Sequence, residues 1–340
     1  MLRNLIKTIA SPLPFGLSMW IAKPRVVAVF YHTISHNAPA HIKHLYPTVN
    51  PEQFEKDLDF LTHHFDPTDL KEYIHSAPSR SITKPKLLLS FDDGFSEVAH
   101  VAAPILRAKG IPATVFVNPS FIDNNDMLYR CKVSLLVDKI LSNGAMVVLP
   151  NEAKSYFDRP IIPAKKFAQW ISHLDYSQRE LLHKLANELG VDFETYLSDS
   201  KPYLSTEETL RLANDGFTIG AHSMDHPNFA KIALKEQIEQ AESSLQWVQN
   251  NVPNQPKVFA FPFSNDGVPA GLYKYLLKDN PMMCDLLLGT SGYKPTDTSK
   301  FLHRISLEEN GKNAMQIIKG ELNYYLAKKI INKHKASIPL

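Results

Sequence analysis

Short apolar and β-branched runs alternate with helix-period patterns along most of this chain, and no feature restricts the fold more. The run 25-RVVAVFY-31 reads as a strand. Residues 50–65 read as a helix: Asn50 can cap it, Pro51 suits its first turn, and Gln53 completes a capping box. Phe54, Leu58, Leu61 and Phe65 share one face of it. Strand 86-KLLLSF-91, helix 97–109 stopped by Gly110, and strand 113-ATVFV-117 follow. Ser205 and Glu208 form a second capping box that opens a helix ended by Gly216, before strand 217-FTIGA-221. Ile238, Ala241, Leu245 and Val248 mark a long helix. Strands 257-KVFAF-261, 284-CDLLLG-289 and 301-FLHRISL-307 complete the series, with a short helix near 268–277. Such alternation predicts an α/β fold with a parallel sheet and right-handed crossovers, and about seven strands can close a barrel.

Residues of roughly 120–200 break this rhythm. The stretches 132-KVSLLVDKIL-141 and 177-SQRELLHKLANEL-189 look helical, so the segment reads as a mainly helical insertion in a βα loop, an independently folding domain being the alternative. The expected organisation is an N-terminal arm over 1–24, one domain over 25–310 carrying the insertion, and an amphipathic helix with a basic face over 311–340. The apolar N-terminus is interrupted by Pro12, Pro14 and Gly16, too broken to span a bilayer and without a clear secretory cleavage site. A cytoplasmic or membrane-associated setting is therefore favoured over secretion, with peripheral membrane contact as the minority reading of both termini. The formal charge of +2 gives no electrostatic case for nucleic acid. Cys131 and Cys284 lack ligand spacing and read as buried small side chains.

In barrels of parallel strands the active site lies at the strands' C-terminal ends. Here those ends deliver His32, Asp92 with Asp93, Asn118, His222 with His226, Pro262 with Phe263, and His303 with Arg304. Asp-Asp-Gly alone is good turn chemistry. Adjacent carboxylates at a strand end point in different directions, however, so one can hold a cation while the other faces water. In 220-GAHSMDHPNF-229 the two imidazoles are four apart, which on one helical turn places them on one face. Two histidines and one carboxylate make a site with open positions, suited to zinc or another divalent first-row metal. Asp225 reads as a supporting or exposed residue, and the histidines at 36, 41, 44, 63 and 64 as surface residues rather than a second metal site.

These residues resemble the polysaccharide deacetylases with a NodB-homology domain, carbohydrate esterase family 4. The segment 89-LSFDDG-94 is similar to the family's T-F-D-D-G motif, with Ser90 in the Thr position, and 222-HSMDH-226 is similar to H-[ST]-x-x-H. The run 258-VFAFPFS-264 matches as well, and the likeness covers most of residues 25–307. It implies an irregular (β/α)7-type barrel with Asp93, His222 and His226 as metal ligands and Asp92 as general base. The family's usual arginine beside the base is absent, since Ala260 stands at the matching position. Arg304 is the candidate replacement, a structural salt bridge being its alternative reading. For the general acid the resemblance offers two histidines: His303, a loose match to a C-terminal motif, and His32, which matches the branch with an N-terminal Tyr-His. His32 is preferred.

The implied reaction is hydrolysis of N-acetyl groups on an N-acetylglucosamine-type polysaccharide or oligosaccharide, dependent on a divalent metal, zinc by preference. By the same resemblance a backbone N–H near Phe263 would hold the oxyanion, and Tyr31, Pro262 and Phe263 are candidate contacts to the sugar. Hydrolysis of an O-acetyl ester or a non-sugar amide is the alternative within enzymes. A carbohydrate-binding relative that has lost catalysis is the alternative outside them.

Overall fold

The computed structural model describes residues 13–76 and 84–330. Its strands are β1 (Val26–Tyr31), β2 (Asp66–Pro67), β3 (Lys86–Phe91), β4 (Thr114–Val117), β5 (Met146–Val148), β6 (Ile161–Pro163), β7 (Thr218–Ala221), β8 (Val258–Ala260), β9 (Leu286–Gly289) and β10 (Phe301–Ser306). β1, β10, β9, β8, β7, β4 and β3 pair in parallel in that order. β3 then pairs with β1, so seven strands close a barrel. The short β2 takes the lower half of one β3 edge, opposite Lys86 and Leu87, and leaves Ser90 and Phe91 to β4.

Strands buried on both faces need apolar residues at every position, which is why these runs are continuous rather than alternating. Their two faces still do different work. Ala28, Leu88, Phe116, Val258, Ala260, Leu286, Leu288 and Leu302 fill the barrel. Val27, Val29, Leu87, Leu89, Val115, Ile219, Phe259, Leu287 and Ile305 meet the surrounding helices. Gly220 belongs to the interior set by necessity: a Cβ there would lie 2.5 Å from Cε1 of Phe116 and 2.8 Å from Cγ2 of Val258. Phe116 fills the barrel centre only because Gly220 has no side chain.

The helix over 97–109 begins as a π-turn (Val98–Ala102) and continues as Ala103–Lys109, closed by Gly110 at φ 64°. Asn50 caps Pro51–His64 by accepting from the Gln53 amide at 2.8 Å. The expected capping box is only half made, because the Gln53 side chain donates to the buried Asp57 instead, at 2.9 Å. The box at Ser205 and Glu208 forms in full.

Between β4 and β7 stand the helices Tyr129–Ser142, Ala164–Ser172, Arg179–Leu189 and Phe193–Ser200, with β5 and β6 as a small antiparallel pair that the sequence reading lacked. Their apolar faces gather Cys131, Leu135, Phe167, Leu182, Leu185 and Leu197 into a second core. Helix Phe15–Ala22 packs on Ala314–Ile330, where Ser18 Oγ donates to Asn323 Oδ1 at 2.7 Å. The outer parts of the expected arm and basic helix, 1–12 and 331–340, lie outside the described residues. Among the described residues no helix is long and apolar enough to cross a membrane. Both cysteines are buried and unbridged.

Candidate active site

At the end of β3 the chain turns through two left-handed residues, Asp93 at φ 69° and Gly94 at φ 65°. This turn separates the two carboxylates. Asp92 continues the inward series of Leu88 and Ser90, whereas Asp93 is swung toward the next strand ends. Inside the barrel Asp92 meets Arg304 in a two-pronged ion pair: Nη1 donates to Oδ1 at 2.6 Å and Nη2 to Oδ2 at 2.8 Å. Arg304 is fully buried between the rings of Phe30 and Phe116, at 4.6 and 5.1 Å, and also donates to Ser90 Oγ. Burial alone would raise the Asp92 pKa. The charges of Arg304, His222 and His32 more than offset it and hold the carboxyl below its ordinary value.

His222 and His226 follow β7, not on a helical turn as their spacing suggested but on an irregular loop. Ser223 at φ 66° and His226 at φ 60° reverse the chain within five residues, and Pro227 bars a helix from continuing. Ser223 Oγ accepts from the His226 amide at 3.0 Å, and Asn118 from the end of β4 donates to the carbonyls of His222 and Ser223. His222 Nδ1 bonds the Ala260 carbonyl at 2.8 Å, which fixes the proton there and leaves Nε2 with its lone pair. Nε2 of His222 and Nε2 of His226 lie 3.5 and 3.2 Å from Asp93 Oδ1. One ligand atom from each of the three residues lies within 4.8 Å of the others, the one such group of three or more among the described residues.

Asp93 Oδ1 and His226 Nδ1 are buried without hydrogen-bond partners. An unsatisfied buried carboxylate oxygen facing two imidazoles is costly in a bare protein and fits a bound cation. The donor set, two imidazoles from one loop and one carboxylate from the turn after β3, suits a divalent first-row metal.

His32 stands at the end of β1 on the same rim. Its Nδ1 pairs with Glu308 Oε2, its amide donates to Glu308 Oε1 at 2.8 Å, and its ring stacks on Tyr46 at 4.1 Å. Tyr46 OH in turn donates to Asp93 Oδ2 at 3.3 Å. Burial would lower the His32 pKa, but Glu308, with help from Asp93 and Asp92, lifts it to about 9. Replacing Glu308 by Gln removes the main contribution that raises it. A reaction that uses protonated His32 then loses rate at lower pH, so the alkaline limb of the Glu308→Gln pH profile is expected to move down from that of wild type. An unmoved limb in kcat/KM against pH would separate Glu308 from the proton on His32.

His32, Tyr46, Asp92, Asp93, His222 and His226 together line a cleft of about 330 Å³. Phe263 and Thr290 form part of its wall. Leu128 and Arg130 reach it from the segment between β4 and β7. Phe263, at φ 55° and half-exposed, sets its ring edge on His226 at 4.6 Å.

Other expected site residues lie elsewhere. Tyr31 is a correction: it alternates to the outer face of β1, is fully buried, and gives its hydroxyl to Asp57 at 3.2 Å, so it cannot meet a sugar. Pro262 is buried and does not line the cleft. His303 alternates outward beside Phe301 and accepts from the Ser291 amide, away from the carboxylates. Asp225 is held by Tyr176 and Gln240. His41 is not on the surface but buried against Tyr196, and burial lowers it to about 4. Glu308, Tyr46 and Arg130 belong to no motif. Only Glu308 carried a usable signal, as a carboxylate just past the last strand end.

The polysaccharide deacetylase family model matches residues 79–269, more than half of the sequence. The chain belongs to the polysaccharide deacetylase family. Its fold is the closed NodB-type barrel expected of carbohydrate esterase family 4. The Streptococcus pyogenes deacetylase PplD, solved in complex with acetate, superposes with a TM-score of 0.54 at 14% identity over 87% of this chain and 97% of that one. IcaB from Ammonifex degensii gives 0.54 at 13% identity over the same shares. At these identities the likeness is one of fold. Comparison with curated protein sequences finds no match. The matched segment of this deacetylase carries Asp92, Asp93, His222 and His226, whereas His32, Arg304 and Glu308 fall outside it.

Proposed function

We propose that this deacetylase hydrolyses the N-acetyl group of N-acetylglucosamine-type units in a glycan. Asp92 serves as general base, His32 as general acid, and Asp93, His222 and His226 as ligands of a divalent cation, zinc by the nature of the donors. The observation that carries this reading is that base and acid candidates line one cleft with the ligand set, each held in its working charge state by its own counter-ion.

A cation on those three residues supplies a Lewis acid for the acetamide carbonyl and acidifies water. Arg304 keeps Asp92 ionised and fixes its orientation, so Asp92 can take a proton from the attacking water. Glu308 keeps His32 protonated, and His32 gives its Nε2 proton to the departing nitrogen. An amine leaves poorly without that proton, while an alkoxide needs it less, so a histidine raised to about 9 favours the amide over the ester. The backbone at Phe263 is the candidate donor to the oxyanion, consistent with its constrained left-handed conformation at the cleft wall. This use of His32 follows the branch with an N-terminal Tyr-His. Arg304 on Asp92 weighs against a non-catalytic relative, because it supplies the partner whose absence from the Ala260 position suggested one.

Metal analysis together with acetate release from penta-N-acetylchitopentaose tests this. Purified enzyme is expected to carry divalent metal, to lose activity at least about tenfold on chelation, and to regain it with zinc. Protein that holds metal yet releases no more acetate from any acetylated glycan than its Asp92→Asn variant would sink the proposal.

A further inference from the structure

We infer that the glycan this enzyme accepts is acidic, and that Arg130 meets its carboxylate or phosphate in the catalytic cleft. The inference rests on the deacetylase reading and narrows its substrate class.

Arg130 enters the cleft from the first turn of helix Tyr129–Ser142. Its Nη1 donates to the Ser172 carbonyl at the end of helix Ala164–Ser172, at 2.8 Å, which holds the guanidinium in place. A guanidinium has five N–H donors, and among the described residues no carboxylate lies within ion-pair distance of this one. The cleft's own carboxylates are all engaged: Asp92 by Arg304, Glu308 by His32, and Asp93 by two imidazoles and Tyr46. Arg304 and His32 pair with Asp92 and Glu308, Asp93 faces the two imidazoles, and Arg130 has no carboxylate partner among the described residues. A fixed, half-buried and unpaired guanidinium in a cleft attracts an anion and offers it two-pronged hydrogen bonds.

The rim beyond Thr290 has the same character. Ser291, the next residue, and Asp266 border a second hollow of about 200 Å³ with Lys294 and Lys328. Tyr293 and Tyr324 give it aromatic faces, and Lys328 Nζ lies 4.7 Å over the Tyr324 ring. Two lysines against one aspartate make this hollow cationic too. Aromatic rings interleaved with cations suit a sugar chain that carries negative charge, and the wall residues of the two hollows, Thr290 and Ser291, are neighbours in the chain.

The test compares three probes on wild type and Arg130→Met: two oligosaccharides, neutral tetra-N-acetylchitotetraose and a heparosan tetrasaccharide bearing carboxylates, and one sugar phosphate, N-acetylglucosamine 1-phosphate. Acetate release gives kcat/KM, and calorimetry gives Kd independently of turnover. Wild type is expected to favour at least one anionic probe over the neutral one by about tenfold, the size of one charge-assisted contact. Arg130→Met is expected to abolish that preference through KM and Kd, with kcat on the neutral probe unchanged. Arg130→Lys should keep part of it. The carboxylate and phosphate arms tell which anion is read. Equal or better use of the neutral probe by wild type, or an equal loss on all three in Arg130→Met, overturns the inference while leaving the deacetylase reading intact. Selective binding of an anionic probe with no acetate released from any would do the reverse.

Discussion

Asp92→Asn should lower kcat by about 10²–10⁴-fold, the range that a positioned general base contributes, with metal content unchanged. The substitution keeps shape and one acceptor for Arg304 but removes the group that accepts a proton. Because Asp93 and not Asp92 lies against both imidazoles, the cation site should survive. The pair of measurements separates the two adjacent carboxylates, since Asp93→Asn should lose metal and activity together. Retention of more than a third of wild-type kcat in Asp92→Asn would remove Asp92 from proton transfer.

Arg304→Met should be damaging twice over. Breaking one side of a buried ion pair costs about 3–5 kcal/mol because the remaining charge is left without compensation, and Arg304 is fully buried with both nitrogens on Asp92. Without the arginine, the burial that Arg304, with His222 and His32, now offsets pushes the Asp92 carboxyl upward. The base is then neutralised at a pH where wild type is active, so the acid limb of the pH profile should shift to higher pH. Arg304→Lys, a single-pronged donor, should restore charge better than geometry and fall between the two. Urea unfolding and a kcat profile check both effects. Unchanged stability and an unmoved acid limb in Arg304→Met would show that the ion pair neither supports the fold nor sets the base.

The sequence made the candidate cation site legible because its residues are local: Asp-Asp-Gly and H-x-x-x-H each sit within one turn at a strand end. The helical geometry expected for the second was wrong only in its means, since two left-handed residues perform the reversal. Side-chain alternation was the signal left unused. In β1 it sends Tyr31 outward and His32 to the rim, and in β10 it sends His303 outward and Arg304 inward, so both ambiguous pairs separate once the register is followed. Tyr46 and Arg130 had no such signal. They come from irregular or inserted segments whose path depends on packing that no periodicity encodes.

Closure of the barrel has a temporal side. β10 is the last strand in chain order among the described residues and the one wedged between β9 and β1, and it brings Arg304 and, just beyond it, Glu308. A chain synthesised only as far as β9 already holds Asp93, His222 and His226, yet lacks the counter-ions of both Asp92 and His32. On the proposed assignment, hydrolytic competence waits on β10 and the residue just beyond it. A cut before residue 301 would keep the three ligand residues in the chain but remove both counter-ions together with the strand that closes the barrel.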